Sequence, residues 1–182
     1  LFNRHMVAGV LLTALTSHSM LALAADGNVN FQGKISTPTC GISNGSGGDL
    51  PVTLPEVTTG HLSAANAKAG LTNFSLAFTP DTGGTGKCPA GSKLFVTFDK
   101  SSTLVNKTTG YLNPAAGGAT GVQVQLLSSN STPLNLNNST ASETIVLGTK
   151  NQIDFKAQYI APTGQVVAGT VNTSVGYIIS YP

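Results

Sequence analysis

Short stretches in which apolar and polar residues alternate recur along the chain, and clusters of turn-forming residues separate them. Alternation with a period of two places every second side chain on one face of an extended strand, which is typical of half-buried β-strands. Such strands at this spacing favour an all-β fold, a β-sandwich of immunoglobulin-like form. The predicted strands cover residues 29–35, 50–54, 74–78, 94–98, 122–127, 144–147, 153–160 and 171–181.

One segment departs from this pattern. Residues 62–69 are rich in alanine, which favours a helix, although the segment is long enough for only a turn or two. Glycine-rich turns lie elsewhere, at residues 45–48, 81–86 and 115–118. No internal repeat or linker divides the 182 residues, so the length predicts one folded domain.

The first two dozen residues have the order of a secretory signal peptide. Arg4 and His5 precede an apolar run at residues 6–15, and small residues close the segment at 22–24. Polar residues 16–19 interrupt the apolar run, so it falls short of the ~20 residues that a membrane-spanning helix needs. We therefore predict a signal peptide at residues 1–24, with a retained membrane anchor as the alternative.

Two cysteines, Cys40 and Cys88, follow the predicted cleavage site. An even number of cysteines in an exported chain predicts one disulfide, and two free buried thiols are the alternative. The spacing has no CxxC motif, so neither redox catalysis nor zinc binding is indicated.

Composition argues against several kinds of function. Charged residues make up 9% of the chain, against roughly 25% in a typical soluble domain, and the formal net charge is +2. The lysines are scattered singly, so no nucleic-acid partner is predicted. After residue 24 the chain has one histidine, His61, whereas hydrolytic triads and metal sites need several converging groups. We predict no catalytic residue, no metal and no cofactor, and hence not an enzyme.

Both ends of the predicted mature chain carry strands with one apolar face. The alternative interpretation is that both are ordinary edge strands of a complete sandwich. At the N-terminal end this face comprises Gly27, Val29, Phe31, Gly33 and Ile35, and at the C-terminal end it comprises Val175, Tyr177, Ile179 and Tyr181.

Several segments together resemble one family. They are residues 27–33 (GNVNFQG), the cysteine at position 40, residues 121–127 (GVQVQLL), residues 153–159 (IDFKAQY) and the tyrosine just before the end. This set is similar to the major fimbrial subunits of chaperone-usher pili, the type 1 pilin group.

The resemblance implies an incomplete immunoglobulin-like sandwich that lacks its final strand, with a hydrophobic groove beside the C-terminal strand. By the same resemblance, a periplasmic chaperone would fill that groove first, and the N-terminal extension of another copy of the pilin would replace it at the outer-membrane usher. Residues 25–35 would be the donor extension and 36–182 the pilin domain. The mature protein would reach the bacterial surface through the periplasm as an extracellular pilus that adheres to a host or abiotic surface.

Individual roles follow from the same resemblance. Gly27 corresponds to the donor-strand glycine that passes a narrow part of the groove, and Val29 and Phe31 are its groove-filling residues. The C-terminal residues Val175, Tyr177, Ile179 and Tyr181 would line the groove and face the chaperone. Cys40 and Cys88 resemble the family's disulfide pair.

Two other functions fit parts of the pattern. A minor or tip-proximal pilin would share both termini. A secreted sugar-binding β-sandwich would also be all-β and poorly charged, but it normally presents exposed aromatic side chains, and this chain has no tryptophan and four tyrosines.

Overall fold

Strands account for nearly all regular structure in the residues that the computed structural model describes, which are 40–80, 88–138 and 140–182. The predicted signal peptide and donor extension, with Gly27, Val29 and Phe31, lie outside them. All described residues fall in one unit, Thr37–Pro182. Their elements are a short 3₁₀ helix at Thr59–Leu62 and strands β1 (Ala67–Ala77), β2 (Lys93–Phe98), β3 (Gln123–Ser128), β4 (Ile145–Val146), β5 (Gln152–Ala161) and β6 (Tyr177–Ser180).

The strands form two antiparallel sheets, with the orders β1-β5-β3 and β4-β2-β6. In the first sheet Phe74 of β1 lies opposite Phe155 of β5, and their rings stack with centroids 5.5 Å apart. Phe98, at the end of β2 in the second sheet, meets the same Phe155 ring edge-on at 5.2 Å. Phe155 therefore joins the inner faces of both sheets and is almost fully buried.

Most predicted strands are confirmed. Residues 74–78 lie almost entirely in β1, residues 94–98 in β2, residues 122–127 in β3 and residues 153–160 in β5, while residues 144–147 contain the short β4. Within the predicted strand 171–181, only Tyr177–Ser180 is assigned as strand.

Two sequence predictions are wrong. The alanine-rich segment 62–69 is not a helix, because Asn66 turns the chain with a φ of 61° and Ala67 then starts β1. Burying Ala67 and Ala69 partly against the core outweighs the helical propensity of alanine. Residues 50–54 are not a strand, because no described segment forms a ladder with them.

Candidate functional site

The C-terminal segment keeps the predicted alternation although little of it is assigned as strand. From Val171 to Ile179 every second side chain is half-buried, and those between are exposed. The half-buried apolar side chains Val171, Val175, Tyr177 and Ile179 pack against the core. Ile178 points the other way and is 52% exposed.

Only one edge of this segment is hydrogen-bonded to other described residues. β6 is the outermost strand in its sheet, where Ile179 lies opposite Val96 of β2. Further upstream the neighbour changes, because the backbone N–H of Ala119 donates to the carbonyl of Thr170 at 2.8 Å. The other edge of β6 has no strand partner within the described part of the chain, and a strand edge of this kind is where a further strand can pair.

A second segment along the core also lacks a strand partner. Residues 50–57 form no backbone–backbone hydrogen bond with any other described residue, yet Leu50, Leu54 and Val57 pack against the core. An open pocket of about 280 Å³ lies between residues 50–53 and residues 72–75 of β1. This segment thus presents a second apolar edge that is not part of either sheet.

Two tyrosines tie the loop before that segment to the C-terminal strand. The hydroxyl of Tyr177 donates a hydrogen bond of 2.6 Å to the carbonyl of Gly48, and the backbone N–H of Cys40 donates one of 2.8 Å to the hydroxyl of Tyr181. Burial raises the pKa of Tyr177, and the nearby negative charge of Asp49 raises it further. Loop 40–49, which leads into residues 50–57, is therefore fixed beside β6.

The predicted disulfide is confirmed. Cys40 and Cys88 are bonded, both are buried, and their Cα atoms are 4.7 Å apart. The bond anchors the start of loop 40–49 to the residues that precede β2.

The structure brings together three of the four C-terminal residues that the resemblance implies. Val175, Tyr177 and Ile179 lie on one half-buried face, whereas Tyr181 is 40% exposed and reaches inward only through its hydroxyl. The donor residues Gly27, Val29 and Phe31 lie outside the described residues.

Sequence reasoning missed that residues 50–57 pack along the core without a strand partner among the described residues. The usable signal was the pair Pro51 and Pro55, because proline has no backbone N–H to give to a ladder and is confined to edge or unpaired positions.

His61 and the charged side chains of Lys150, Glu143 and Asp154 form surface contacts. In the described residues no group of three or more histidines, cysteines or carboxylates could hold a metal ion, and no helix there is long and apolar enough to cross a membrane. His61 is exposed, with Nδ1 3.0 Å from the hydroxyl of Thr58. Lys150 pairs with Glu143, whose hydrogen bond raises the lysine pKa, and also lies 3.6 Å from Asp154.

Comparisons with known proteins agree with one another. The family model described as fimbrial protein matches residues 29–182. The major fimbrial subunit SMF-1 of Stenotrophomonas maltophilia is 37% identical over 92% of this chain and 99% of its own length. The type-1 fimbrial protein A chain of Escherichia coli K12 is 31% identical over 96% of this chain and 97% of its own.

Solved structures show the same fold. A Burkholderia pseudomallei antigen and type I fimbria protein matches with a TM-score of 0.54 at 24% identity, over 81% of this chain and 91% of its own. The P pilus rod subunit PapA matches with a TM-score of 0.57 at 14% identity, over 80% of this chain and all of its own. A chain from a chaperone-usher pilus also matches at 0.57, with 15% identity over 87% of this chain and 96% of its own. The predicted immunoglobulin-like, all-β fold is therefore confirmed.

Proposed function

Because the chain belongs to the fimbrial protein family, whose members build chaperone-usher pili on the bacterial surface, we propose that it polymerises by donor-strand exchange. In this proposal the subunit is a structural protein and not an enzyme. Its partners are other copies of itself, a periplasmic chaperone and an outer-membrane usher, and the finished pilus supports adhesion to a host or abiotic surface. The relatives named as major subunits favour a major over a minor role.

The observation that carries the proposal is the edge of β6 that has no strand partner among the described residues, above a half-buried apolar face. A strand from another chain added along this edge would satisfy its main-chain donors and acceptors. Alternate side chains of the added strand would cover Val175, Tyr177 and Ile179, which are each only half-buried among the described residues. The unpaired segment 50–57, with its own apolar side chains on the core, would supply the second wall.

The donor in this proposal is residues 25–35 of another subunit. Its alternation would direct Gly27, Val29 and Phe31 toward the acceptor face, where the two larger side chains replace water on apolar surface. Because donor and acceptor lie on different parts of the chain, each subunit joins the next head to tail. Such contacts do not close on themselves, so they produce a filament.

Two neighbouring residues on opposite faces of β6 allow a matched test. Ile179→Asp would bring an unpaired charge onto the acceptor face, whereas Ile178→Asp would place the same charge on the exposed face of the same strand. We expect cells with Ile179→Asp to show no pili by electron microscopy and cells with Ile178→Asp to show normal ones. Equal pilus numbers for the two variants would contradict the proposal.

A second experiment uses the wild-type subunit and a donor peptide, so that a folding defect in a variant subunit cannot explain the result. Wild-type subunit bound to its chaperone is mixed with a synthetic peptide of residues 25–35, and the released chaperone is measured by size-exclusion chromatography. We expect exchange with this peptide and none with the Val29→Asp, Phe31→Asp peptide, since both charges would have to enter an apolar site. If the doubly substituted peptide releases chaperone equally well, donor-strand exchange at this face is wrong.

A further inference from the structure

The side chain of Asn44 acts as a short extension of the pairing on the outer edge of β1. Before it, Ile42 bridges Phe78, and the backbone N–H of Ser43 donates to the carbonyl of Ala77 at 2.7 Å. The backbone after Ser43 then turns away from β1, and the side-chain carboxamide of Asn44 takes the place of a backbone partner for the next groups of β1. Asn44 Oδ1 accepts from the N–H of Ala77 at 3.0 Å, and Asn44 Nδ2 donates to the carbonyl of Ser75 at 2.8 Å. Both atoms of the amide are thus bonded to β1.

The residue after Asn44 has to be glycine. A Cβ on Gly45 would overlap the carbonyl oxygen of Asp49 and the side chain of Ile42. The turn that causes this crowding is closed by two hydrogen bonds, from Ser46 N–H to Asp49 at 2.9 Å and from Asp49 N–H to Ser46 at 3.0 Å. Glycine is therefore required directly after Asn44, and these two residues form the only Asn–Gly pair in the sequence.

We propose that Asn44 is a site of spontaneous deamidation that the folded domain protects. In the reaction the backbone nitrogen of Gly45 gives up its proton and attacks Cγ of Asn44, a new C–N bond forms, the Cγ–Nδ2 bond breaks, and the Nδ2 group takes up a proton and leaves as ammonia. Water then opens the cyclic imide at either carbonyl and gives aspartate or isoaspartate. Glycine favours the attack because its nitrogen is not shielded by a Cβ and its backbone is the least restricted.

The two hydrogen bonds to β1 explain the protection. The attack requires Cγ of Asn44 to leave the planar amide geometry in which Oδ1 and Nδ2 are bonded to Ala77 and Ser75. The reaction therefore needs the loop to separate from β1, and its rate reports how often that local opening occurs. A subunit that stays unfolded reacts, whereas a folded subunit is preserved.

The product would not fit the same place. Aspartate lacks the Nδ2 donor and would direct a carboxylate oxygen at the carbonyl oxygen of Ser75, which is also an acceptor. Isoaspartate would in addition lengthen the backbone of a crowded turn. Either product loosens loop 40–49 from β1, so the reaction marks subunits that were open for long periods.

The test compares one protein in two states. Protein purified from the cells that make it is held at mildly alkaline pH, either folded or unfolded in denaturant with its disulfide reduced, and peptide mapping by mass spectrometry follows each asparagine. We expect Asn44 to be the fastest site in the unfolded chain and to react at least about tenfold more slowly in the folded protein. Equal rates in the two states, or a faster asparagine elsewhere in the unfolded chain, would overturn the proposal.

Two variants complete the test. Asn44→Gln keeps a side-chain amide, but its cyclic imide would need a larger ring that forms more slowly. Deamidation at this position should therefore no longer be detected in the unfolded state. Asn44→Asp reproduces the product directly, and hydrogen exchange at the amide of Ala77 should be faster in it than in the wild type, because repulsion between the carboxylate and the carbonyl oxygen of Ser75 moves the side chain away from Ala77. Unchanged exchange at Ala77 would show that the carboxamide does not hold the loop.

Discussion

Strands β5 and β6 share the same alternating sequence pattern but differ in how completely the fold uses them. β5 lies between β1 and β3, and most of its side chains are buried, including Gln158 and Ile160 on the face away from Phe155. β6 has one neighbour among the described residues, and none of its four side chains is fully buried. β5 therefore contributes more to the folded core, and β6 is the strand at which we propose that a donor strand is added.

The largest expected effect comes from removing the residue that joins the two sheets. Phe155→Ala deletes a ring that contacts both Phe74 and Phe98, so we expect a loss of about 3–5 kcal/mol in the free energy of unfolding. Ile178→Ala on exposed β6 should change it by less than about 0.5 kcal/mol. Denaturant unfolding measures both. Similar losses in free energy of unfolding in the two variants would show that β5 and β6 do not differ in their contribution to the stability of the fold.

A smaller loss is expected from the disulfide. Replacing Cys40 and Cys88 by alanine should lower the free energy of unfolding by about 2–4 kcal/mol, because the bond closes a long loop in the unfolded chain. The bond also anchors loop 40–49, which contacts β6 through Gly48, so hydrogen exchange should rise in that loop more than in β5. A uniform rise would mean that the disulfide does not support the β6 region specifically.

The sequence predicted β5 better than it predicted the segments around β6. At residues 153–160 the sequence alternates with a period of two, and the fold also supplies a neighbouring strand on each edge. Both conditions for a strand are met there, so the strand forms as predicted. At residues 50–54 the apolar spacing was real, and Leu50 and Leu54 do reach the core. What failed was the inference of a ladder, because apolar spacing does not show whether a strand has a partner. The local signal against a ladder was the pair Pro51 and Pro55.

The contacts that shape the candidate site are long-range and could not be inferred from local pattern. Tyr177 reaches Gly48 and Tyr181 reaches Cys40 across most of the chain. Another long-range contact lies in the other sheet, where the side chains of Gln125 and Gln158 form a buried hydrogen bond of 2.7 Å between β3 and β5. Alternation indicates which face of a strand is apolar, but not which hydroxyl or amide it meets. The disulfide was predictable because only two cysteines exist and an exported chain favours their pairing.

The smallest effect, and the most specific to the β6 region, is expected from Tyr177→Phe. The variant removes the hydroxyl that donates to Gly48, so at neutral pH we expect a loss of about 0.5–1.5 kcal/mol in the free energy of unfolding. The pKa of Tyr177 in the folded state is raised, first by burial and then by the charge of Asp49, so the unfolded chain ionises this tyrosine first.

The sign of the pH dependence follows from that order. The stability that Tyr177 contributes is fully present below the unfolded pKa of about 10, and it is lost as pH rises from there through the folded pKa. The difference in free energy of unfolding between wild type and Tyr177→Phe should therefore become smaller above about pH 10, because only the wild type loses this contribution. Burial also raises the pKa of Tyr159, but that tyrosine is present in both proteins and its effect cancels. Denaturant unfolding of both proteins between neutral and strongly alkaline pH measures this difference. If the difference in free energy of unfolding between the two proteins stays constant over this range, the hydroxyl of Tyr177 does not donate a stabilising hydrogen bond to Gly48. The link between loop 40–49 and β6 would then depend on the packing of the tyrosine ring alone.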